Sequence, residues 1–299
     1  MVKICVMEKN DVANFFWVGQ VTFQEFACFN SFLKNGFTVN IWTYDNELQD
    51  SNNYLKEEEF NIKNAEEILP STLLRSFYQG RERGSISSFS NLFRYQLLIR
   101  EGGWWFDADC FCIKNIKFFQ ELTKNKDFVL CKEYEDHVGS SVMFFNNKST
   151  LLEIQKEAQL RTSKKSKLFW GEIGPNMITD VLKKEGVYDQ TVDSYLFFGL
   201  KAKNFKDLYS FDTNKLKVIT DSALSIHLWN EISRKLLINK DKLPPKKSFL
   251  YQIYKPSDSE LNLKKYSFLF YLRFLNFFNI IFKISFFVKI KLKNLTYEL

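Results

Sequence analysis

Histidine is scarce in this 299-residue sequence, which contains only His137 and His227. Cysteine is also infrequent, with five residues, and Cys110 and Cys112 flank a single phenylalanine. A structural zinc site needs four ligands at close spacing, and no second cysteine pair is present to complete such a set. We therefore expect these two cysteines and Cys131 to be reduced residues of strands, as in a cytosolic protein.

A secretion signal and a clean membrane span are not expected either. The apolar run at residues 2–7 is too short for a signal and predicts a first core strand. Residues 266–299 contain eight phenylalanines, but Arg273 and Lys283 interrupt them, and such charges are costly at the centre of a bilayer. An aromatic helix flanked by lysines is typical of the bilayer interface, so we expect this helix to bind the membrane surface. Packing on the domain or on a second subunit, and a true span, are the alternatives.

An excess of positive charge is missing from most of the chain, although the net charge is +7. Residues 231–299 contain 14 lysines and arginines against 5 acidic residues, whereas the preceding residues contain 28 against 30. Two prolines and two lysines at 244–247 mark a linker, so we place one domain at 1–245 and a helical, basic tail at 246–299. Lysines of the tail would be attracted to anionic lipid. We expect a protein at the inner face of the cytoplasmic membrane, with no nucleic-acid partner.

The main domain has the alternating pattern of an α/β fold. A helix at 20–35 is followed by a strand at 37–44, which suits a parallel sheet that binds a nucleotide where strands end. Residues 46–68 are polar and predict one or two surface helices. The other predicted elements are helices at 86–101, 150–161 and 175–185, and strands at 104–107, 128–131, 141–145 and within 217–229.

The most informative segment is the run from Asn91 to Asp109. A helix that carries Arg94 ends at a double glycine, and a short aromatic strand then leads to Asp107 and Asp109. Strand residues two apart project to the same side, so we expect the two carboxylates to face one site. Two oxygen ligands at this spacing suit Mg²⁺ or Mn²⁺, which can neutralise charge on a leaving diphosphate. The segment therefore indicates cleavage of a sugar–nucleotide bond.

This segment resembles the signature of the DXD-containing sugar transferase family, which includes bacterial capsule and lipopolysaccharide glycosyltransferases. The likeness is carried by Phe89-Ser90-Asn91-Leu92-Phe93-Arg94-Tyr95, Gly102-Gly103 and Asp107-Ala108-Asp109. Blocks at 16–19, 30–45, 174–179 and 226–230 resemble the family in the same order. The resemblance implies an α/β fold of GT-A type, with a Rossmann-like sheet that binds the nucleotide. It also implies a metal-dependent glycosyltransferase that retains the anomeric configuration. We expect a UDP-sugar donor and a lipooligosaccharide or capsule acceptor.

The resemblance also assigns roles to individual residues. Asp109 should bind the metal directly, and Asp107 should bind the ribose or a metal-bound water. His227 should complete the metal site or bind the diphosphate, unless it is a satisfied core histidine. A buried Arg94 needs an anionic partner, which is either the donor or a structural salt bridge. Asn91 replaces an aspartate that many members carry, and its amide can still bond the donor sugar.

Aromatic residues near strand ends are candidates for binding the nucleotide. Trp17 and Tyr44 can stack on a base, and Gly19 permits close approach of its backbone. Core packing is the alternative for the two aromatic residues. Trp229 and Asn230, in the last block of the resemblance, are expected to contact the nucleotide sugar.

The acceptor side of the site is less defined by the sequence. His137 lies in a polar loop from which it could reach the acceptor, and we expect Gly174-Pro175-Asn176 to shape that side of the cleft. Two other functions use the same residues: a metal-dependent phosphohydrolase, and an inactive scaffold that binds glycan or lipid. A phosphohydrolase would carry its acidic pair directly after the first strand, whereas here the pair comes at 107–109.

Overall fold

The computed structural model describes residues 10–45, 48, 54–55, 60–77, 86–134, 136–164 and 171–255. The strand predicted at 2–7 and the part of the tail at 256–299 lie outside the described residues. Two compact units divide the chain, Met1–Lys201 with Val218–Leu228, and Ala202–Lys217 with Trp229–Leu299. The domain boundary that we placed at residue 245 stays a prediction.

The strands form one large sheet and one small sheet, both in the first unit. In chain order they are β1 (Val12–Phe16), β2 (Thr38–Thr43), β3 (Asn61–Asn64), β4 (Trp104–Phe106), β5 (Cys110–Cys112), β6 (Phe128–Tyr134), β7 (His137–Phe145) and β8 (Ser225–His227). The large sheet has the order β3-β2-β1-β4-β7-β6, and β5 pairs with β8 in the small one. β1 to β4 run parallel, while β7 is antiparallel to both of its neighbours. The predicted α/β fold is therefore confirmed.

The helices lie between the strands in the sequence or follow the last of them. They are α1 (Phe23–Lys34), α2 (Ser71–Ser76), α3 (Ser87–Arg100), α4 (Ile116–Thr123), α5 (Ser149–Lys164), α6 (Pro175–Lys184), α7 (Tyr195–Phe198), α8 (Thr213–Ser222), α9 (Asn230–Lys235) and α10 (Phe249–Tyr254). The helices predicted at 86–101, 150–161 and 175–185 correspond to α3, α5 and α6. None of the helices in the described ranges is both long and apolar enough to cross a membrane.

Aromatic side chains fill both faces of the large sheet. On one face Phe15 packs against Phe29 of α1, with ring centroids 4.9 Å apart. On the other face Phe16 stacks on Phe93 of α3 at 4.4 Å. Because strand residues alternate between faces, the neighbouring residues Phe15 and Phe16 of β1 pack on opposite faces of the large sheet. Each buried ring of this kind contributes roughly 1.5–3 kcal/mol to stability.

A buried asparagine ties three parallel strands together. Asn14 of β1 has no exposed surface. Its Oδ1 accepts hydrogen bonds from Asn40 Nδ2 and from Trp42 Nε1, both at 3.1 Å. Its Nδ2 donates to the carbonyl oxygens of Gly102 at 3.2 Å and Trp104 at 3.0 Å. Asn14 therefore fixes the turn that connects α3 to β4.

Two parts of the sheet differ from the sequence-based prediction. The first strand of the sheet in the described residues is β1, which we did not predict because Asn14 interrupts its apolar run. β3 lies in the segment predicted as surface helices. Its polar residues occupy the edge of the sheet, where pairing with β2 and the Asn61–Asn40 side-chain hydrogen bond hold it. An edge strand needs little apolar surface, so its sequence carries no strand pattern.

The second unit contains α9, α10 and a 3₁₀ helix at Ala202–Tyr209. The backbone N–H of Phe249, at the start of α10, donates to the carbonyl oxygen of Ser210 at 2.7 Å. The rings of Phe205 and Tyr209 lie 5.8 Å apart, and both residues are buried. The residues just after the predicted linker are therefore part of a folded unit.

We predict that Asn14→Ala destabilises the protein by about 2–4 kcal/mol, because it leaves the Trp42 indole N–H and two backbone carbonyls without their partner. Asn61→Ala, at the exposed end of the same asparagine row, should cost less than about 0.5 kcal/mol. Urea denaturation of the two variants measures both values. Equal destabilisation by the two substitutions would contradict the role given to Asn14.

Candidate active site

Several of the predicted site residues gather at one edge of the large sheet. β1, β2 and β4 are parallel, so their carboxyl ends lie at the same edge. Trp17 and Gly19 follow β1, Tyr44 follows β2, and Asp107 follows β4. Ligands of open α/β sheets bind outside the carboxyl ends of the strands. This edge is therefore the candidate site.

The position of Asp107 follows from the alternation of β4. Trp105 and Asp107 are two residues apart and face α3, and the indole N–H of Trp105 donates to Asp107 Oδ1 at 2.9 Å. The backbone N–H of Asp107 donates to the carbonyl oxygen of Ser141 in β7 at 2.8 Å. The Asp107 side chain keeps 28% of its surface exposed. One of its oxygens is thus fixed by the protein, while part of the carboxylate faces solvent.

Arg94 supplies the positive charge next to Asp107. Its Nη1 lies 3.0 Å from Asp107 Oδ1, and the Arg94 side chain is only 5% exposed. The guanidinium also stacks on the Trp105 ring, with Cζ 4.7 Å from the ring centroid. Its remaining donors reach the Ser90 carbonyl at 3.1 Å, the Ser90 hydroxyl at 2.9 Å and the Ser140 carbonyl. The salt bridge, one of the two partners we considered for Arg94, is present, and contact of Arg94 with the donor stays a prediction.

Asn91 lies beside Arg94 because residues three apart share a helix face. Its Oδ1 accepts a hydrogen bond from the Ser140 hydroxyl at 3.1 Å. A Cβ atom added to Gly174 would lie 2.6 Å from Asn91 Nδ2, so only glycine fits at this point before α6. Within the described part of the chain, no residue accepts a hydrogen bond from Asn91 Nδ2. This amide N–H is available to a ligand.

Backbone pairing brings Asp109 and His227 together. Cys110 of β5 is opposite His227 of β8, and the N–H of Leu228 donates to the Asp109 carbonyl oxygen at 2.8 Å. His227 Nε2 therefore lies 3.4 Å from Asp109 Oδ1. Both side chains are less than 10% exposed. Their partners differ from those of Asp107, so the two carboxylates of the motif hold different positions in the site.

A cluster of three potential metal ligands results from this pairing. Ligand atoms of Asp109, Cys110 and His227 all lie within 4.8 Å of one another. The carboxylate and the imidazole fit a divalent cation of the Mn²⁺ type. Burial raises the pKa of the Cys110 thiol, and a thiol binds metals well only as thiolate. The donor set that fits a cation is therefore Asp109 with His227, and Asp107 is not part of this cluster.

The predicted base-binding residues have defined surroundings. The Tyr44 hydroxyl donates to the Leu69 carbonyl oxygen at 2.7 Å, and its ring packs edge-on against Phe16. Burial raises the pKa of this hydroxyl above its usual value. The Trp17 indole N–H donates to the Gln20 carbonyl oxygen at 3.3 Å. Gly19 has φ +92° and open space around the position of a Cβ atom. Stacking on a base by Trp17 or Tyr44 stays a prediction.

Trp229 and Asn230 fall in the second unit, where Trp229 precedes α9 with φ 54°. Their contact with a nucleotide sugar stays a prediction. His137, which we placed in a loop, is instead the first residue of β7. Its side chain is partly exposed, and reach toward an acceptor stays a prediction as well.

Glu133 is a site residue that the sequence analysis missed. It lies in β6, and its Oε2 would be 2.9 Å from a Cβ atom added to Gly139 of the neighbouring strand. Burial raises the pKa of the Glu133 carboxyl, and the charges of Asp107 and Asp109 raise it further, while those of His227 and Arg94 lower it. The Glu133 carboxyl therefore interacts electrostatically with Asp107, Asp109, His227 and Arg94. Its segment, Lys132 to Asp136, offered no signal beyond a charged stretch.

Part of the candidate site lies in a segment that matches a known family. Residues 68–170 match the model of a family described as capsular polysaccharide synthesis protein. This segment contains Asn91, Arg94, Asp107 and Asp109, but not His227. No curated protein matches the chain.

Three solved structures with some likeness to this chain are glycosyltransferases. The PaToxG glycosyltransferase is 12% identical, with 82% of this chain and 85% of that chain covered and a TM-score of 0.47. The apo-form glycosyltransferase GlyE of Streptococcus pneumoniae TIGR4 is 13% identical, with 87% and 65% covered and a TM-score of 0.43. The UDP-bound glycosyltransferase domain from the YGT toxin is 10% identical, with 89% and 96% covered and a TM-score of 0.36.

We predict that Arg94→Lys lowers the free energy of unfolding by about 2–3 kcal/mol although the charge is kept. A single ammonium group cannot replace a planar fork that reaches Asp107, Ser90 and Ser140 at once. Arg100→Lys, at the exposed end of the same helix, should change stability by less than about 0.5 kcal/mol. Chemical denaturation measures both values, and wild-type stability of Arg94→Lys would show that the guanidinium contacts are dispensable.

We predict that Glu133→Gln is more stable than the wild type at pH 8 and that this difference vanishes near pH 4. Because the folded-state pKa lies above the usual value near 4.5, the wild type loses stability as pH rises through the raised pKa. An amide does not ionise and escapes this loss. Melting temperatures at several pH values measure the difference. Glu121→Gln, with a side chain that is 71% exposed, is the surface control. A pH-independent difference for Glu133→Gln would contradict the assignment.

Proposed function

We propose that this protein is a metal-dependent glycosyltransferase that uses a nucleotide-diphosphate sugar. The observation that carries the proposal is the pair of carboxylates after β4, each with its own cationic or metal-binding neighbour. Asp107 is held by Arg94 at 3.0 Å, and Asp109 lies 3.4 Å from His227. Such a site suits a substrate that carries a diphosphate. The match of residues 68–170 to the capsular polysaccharide synthesis family supports the same conclusion.

Asp109 and His227 are the residues that would hold Mn²⁺ or Mg²⁺. Mg²⁺ prefers oxygen ligands, so the imidazole favours Mn²⁺ of the two. When bound, the cation neutralises negative charge that grows on the diphosphate as the bond to the sugar breaks. The burial of both side chains strengthens their electrostatic effect on a ligand.

Asp107 and Asn91 would orient the donor. The contacts of Arg94 and Trp105 go to one oxygen of Asp107, which leaves the other able to accept from a ribose hydroxyl. Asn91 presents an amide N–H that can donate to a hydroxyl of the transferred sugar. Arg94 then acts through Asp107 and Ser140 as a positioning residue.

The nucleotide base would lie toward β1 and β2. Trp17 and Tyr44 follow these strands, and a Cβ atom placed on Gly19 would have no neighbour within 4 Å. A uracil base is our preferred occupant. We further propose transfer with retention of configuration to a capsule or lipooligosaccharide acceptor at the inner face of the cytoplasmic membrane.

We predict that the protein releases UDP or GDP from a sugar nucleotide in the presence of Mn²⁺, and that EDTA stops the release. Asp109→Asn should lower this rate by at least about 100-fold, because an amide removes the negative charge that holds a hard cation. The assay measures nucleoside diphosphate produced from UDP-glucose, UDP-galactose, UDP-N-acetylglucosamine and GDP-mannose.

Asp189→Asn, an exposed aspartate distant in sequence from the motif, is the matched control and should keep full activity. Full turnover of folded Asp109→Asn in EDTA would refute metal dependence. Release of a nucleoside monophosphate and a sugar 1-phosphate in place of a nucleoside diphosphate would favour the phosphohydrolase. Lack of turnover with binding of glycan alone would favour the scaffold.

We predict that deletion of residues 256–299 weakens membrane binding far more than it weakens activity on a soluble acceptor. An interfacial aromatic helix gains from apolar burial and from attraction of its lysines to anionic lipid. Binding of the full chain to acidic liposomes should therefore fall as salt rises, without vanishing. Co-sedimentation of the full chain and of residues 1–255 measures this, and equal sedimentation of the two would refute it.

A further inference from the structure

The strongest unassigned feature of the site is the Glu133 carboxyl. The β6–β7 pairing shifts register on both sides of Lys132, which is the residue before Glu133. Such irregularities re-aim side chains and are frequent next to active sites. Here the shift lets Glu133 lie across Gly139, close to the Phe198 ring. That ring is 5.3 Å from the His227 ring, so the carboxyl lies on the His227 side of the hairpin.

Glu133 has no hydrogen-bond donor or cationic partner at contact distance among the described residues. Most of Glu133 is buried, but part of its surface stays exposed. A carboxylate in such a place has unused acceptor capacity. A molecule that brings hydroxyl donors into the site would fill it.

The strand order tells which part of a substrate reaches Glu133. The order β2-β1-β4-β7-β6 places the proposed base site at β1 and β2, and the carboxylates of the motif at β4. Neighbouring strands lie about 4.8 Å apart, so β6 is about 14 Å from β1. A donor that enters with its base at β1 and its diphosphate at β4 has its sugar above β7. On this path β6 would face the molecule that receives the sugar.

We propose that Glu133 accepts a hydrogen bond from a hydroxyl group of the acceptor saccharide and thereby helps to select it. The proposal rests on the proposed function, since it needs a donor that occupies β1 to β4. The position of the Glu133 carboxyl also depends on Gly139. A methyl group there would lie 2.9 Å from Glu133 Oε2 and 3.1 Å from its Cβ, which would push the carboxyl out of place.

The test compares the KM for an acceptor with the KM for the donor. The probes are lactose or galactose as acceptor and the sugar nucleotide that the wild type cleaves fastest as donor. Glu133→Gln should raise the KM for the acceptor saccharide by about tenfold and the KM for the donor by less than about twofold. The reason is that the amide oxygen of glutamine is a weaker hydrogen-bond acceptor than the charged carboxylate. Gly139→Ala should give the same selective change, since it displaces the carboxyl without removing it. Glu121→Gln is the control on the surface, and melting temperatures confirm that each variant folds.

The outcomes separate this inference from the proposed function. A selective rise in acceptor KM in both variants supports it. Wild-type acceptor KM in folded Glu133→Gln, with normal turnover of the sugar nucleotide, overturns the inference and leaves the glycosyltransferase intact. A rise in donor KM instead would assign Glu133 to the donor sugar and also overturns it. Lack of turnover by the wild type with every sugar nucleotide refutes both proposals.

Discussion

A guanidinium ion that is almost wholly removed from water must be surrounded by acceptors, and Arg94 meets this requirement with groups from three elements. Ser90 belongs to α3 itself, Asp107 follows β4, and Ser140 belongs to β7. These contacts fix the helix against the two strands that carry the site. The carboxylate of Asp107 is consequently held in one orientation. Asp109 follows Asp107 through a short turn and directly precedes β5. The pairing of β5 with β8 then places Asp109 next to His227.

The second constraint is the buried amide of Asn14. It orders the turn through Gly102 and Gly103, both of which have positive φ. A Cβ atom on Gly103 would lie 2.9 Å from Asn14 Nδ2, so glycine is needed where the chain passes this amide. The double glycine before the aspartates is therefore explained by packing against β1. Arg94 and Asn14 together set where β4 starts and where it ends.

Sequence reasoning predicted what is local and missed what depends on distant pairing. One run of residues contains the helix with Arg94, the strand with Trp105 and the carboxylates after it. The order of these elements could therefore be predicted from the sequence. β1 was missed because a polar residue, Asn14, interrupts its apolar run. Asn14 stabilises the fold through hydrogen bonds to residues that are distant in the sequence. Glu133 was missed for a similar reason. Only the register shift in β6 and the small Gly139 turn it toward the site.

The spacing of Asp107 and Asp109 also did not predict that the two carboxylates have different partners. Alternation along a strand predicts one common direction, but the strand ends at Phe106 and a turn intervenes before Asp109. The partner of Asp109 comes from β8, whose pairing with β5 joins segments that are distant in sequence. The tail, which we expect to bind membrane, lies mostly outside the described residues.

The most direct test of the site is anomalous X-ray diffraction from crystals soaked with Mn²⁺ and UDP. We expect a manganese peak bound by the Asp109 carboxylate and His227 Nε2, in contact with the UDP diphosphate, with the Arg94–Asp107 pair unchanged. The peak should be absent from crystals of Asp109→Asn. A manganese peak elsewhere, or an equal peak in Asp109→Asn, would contradict the assignment of the metal to these two residues.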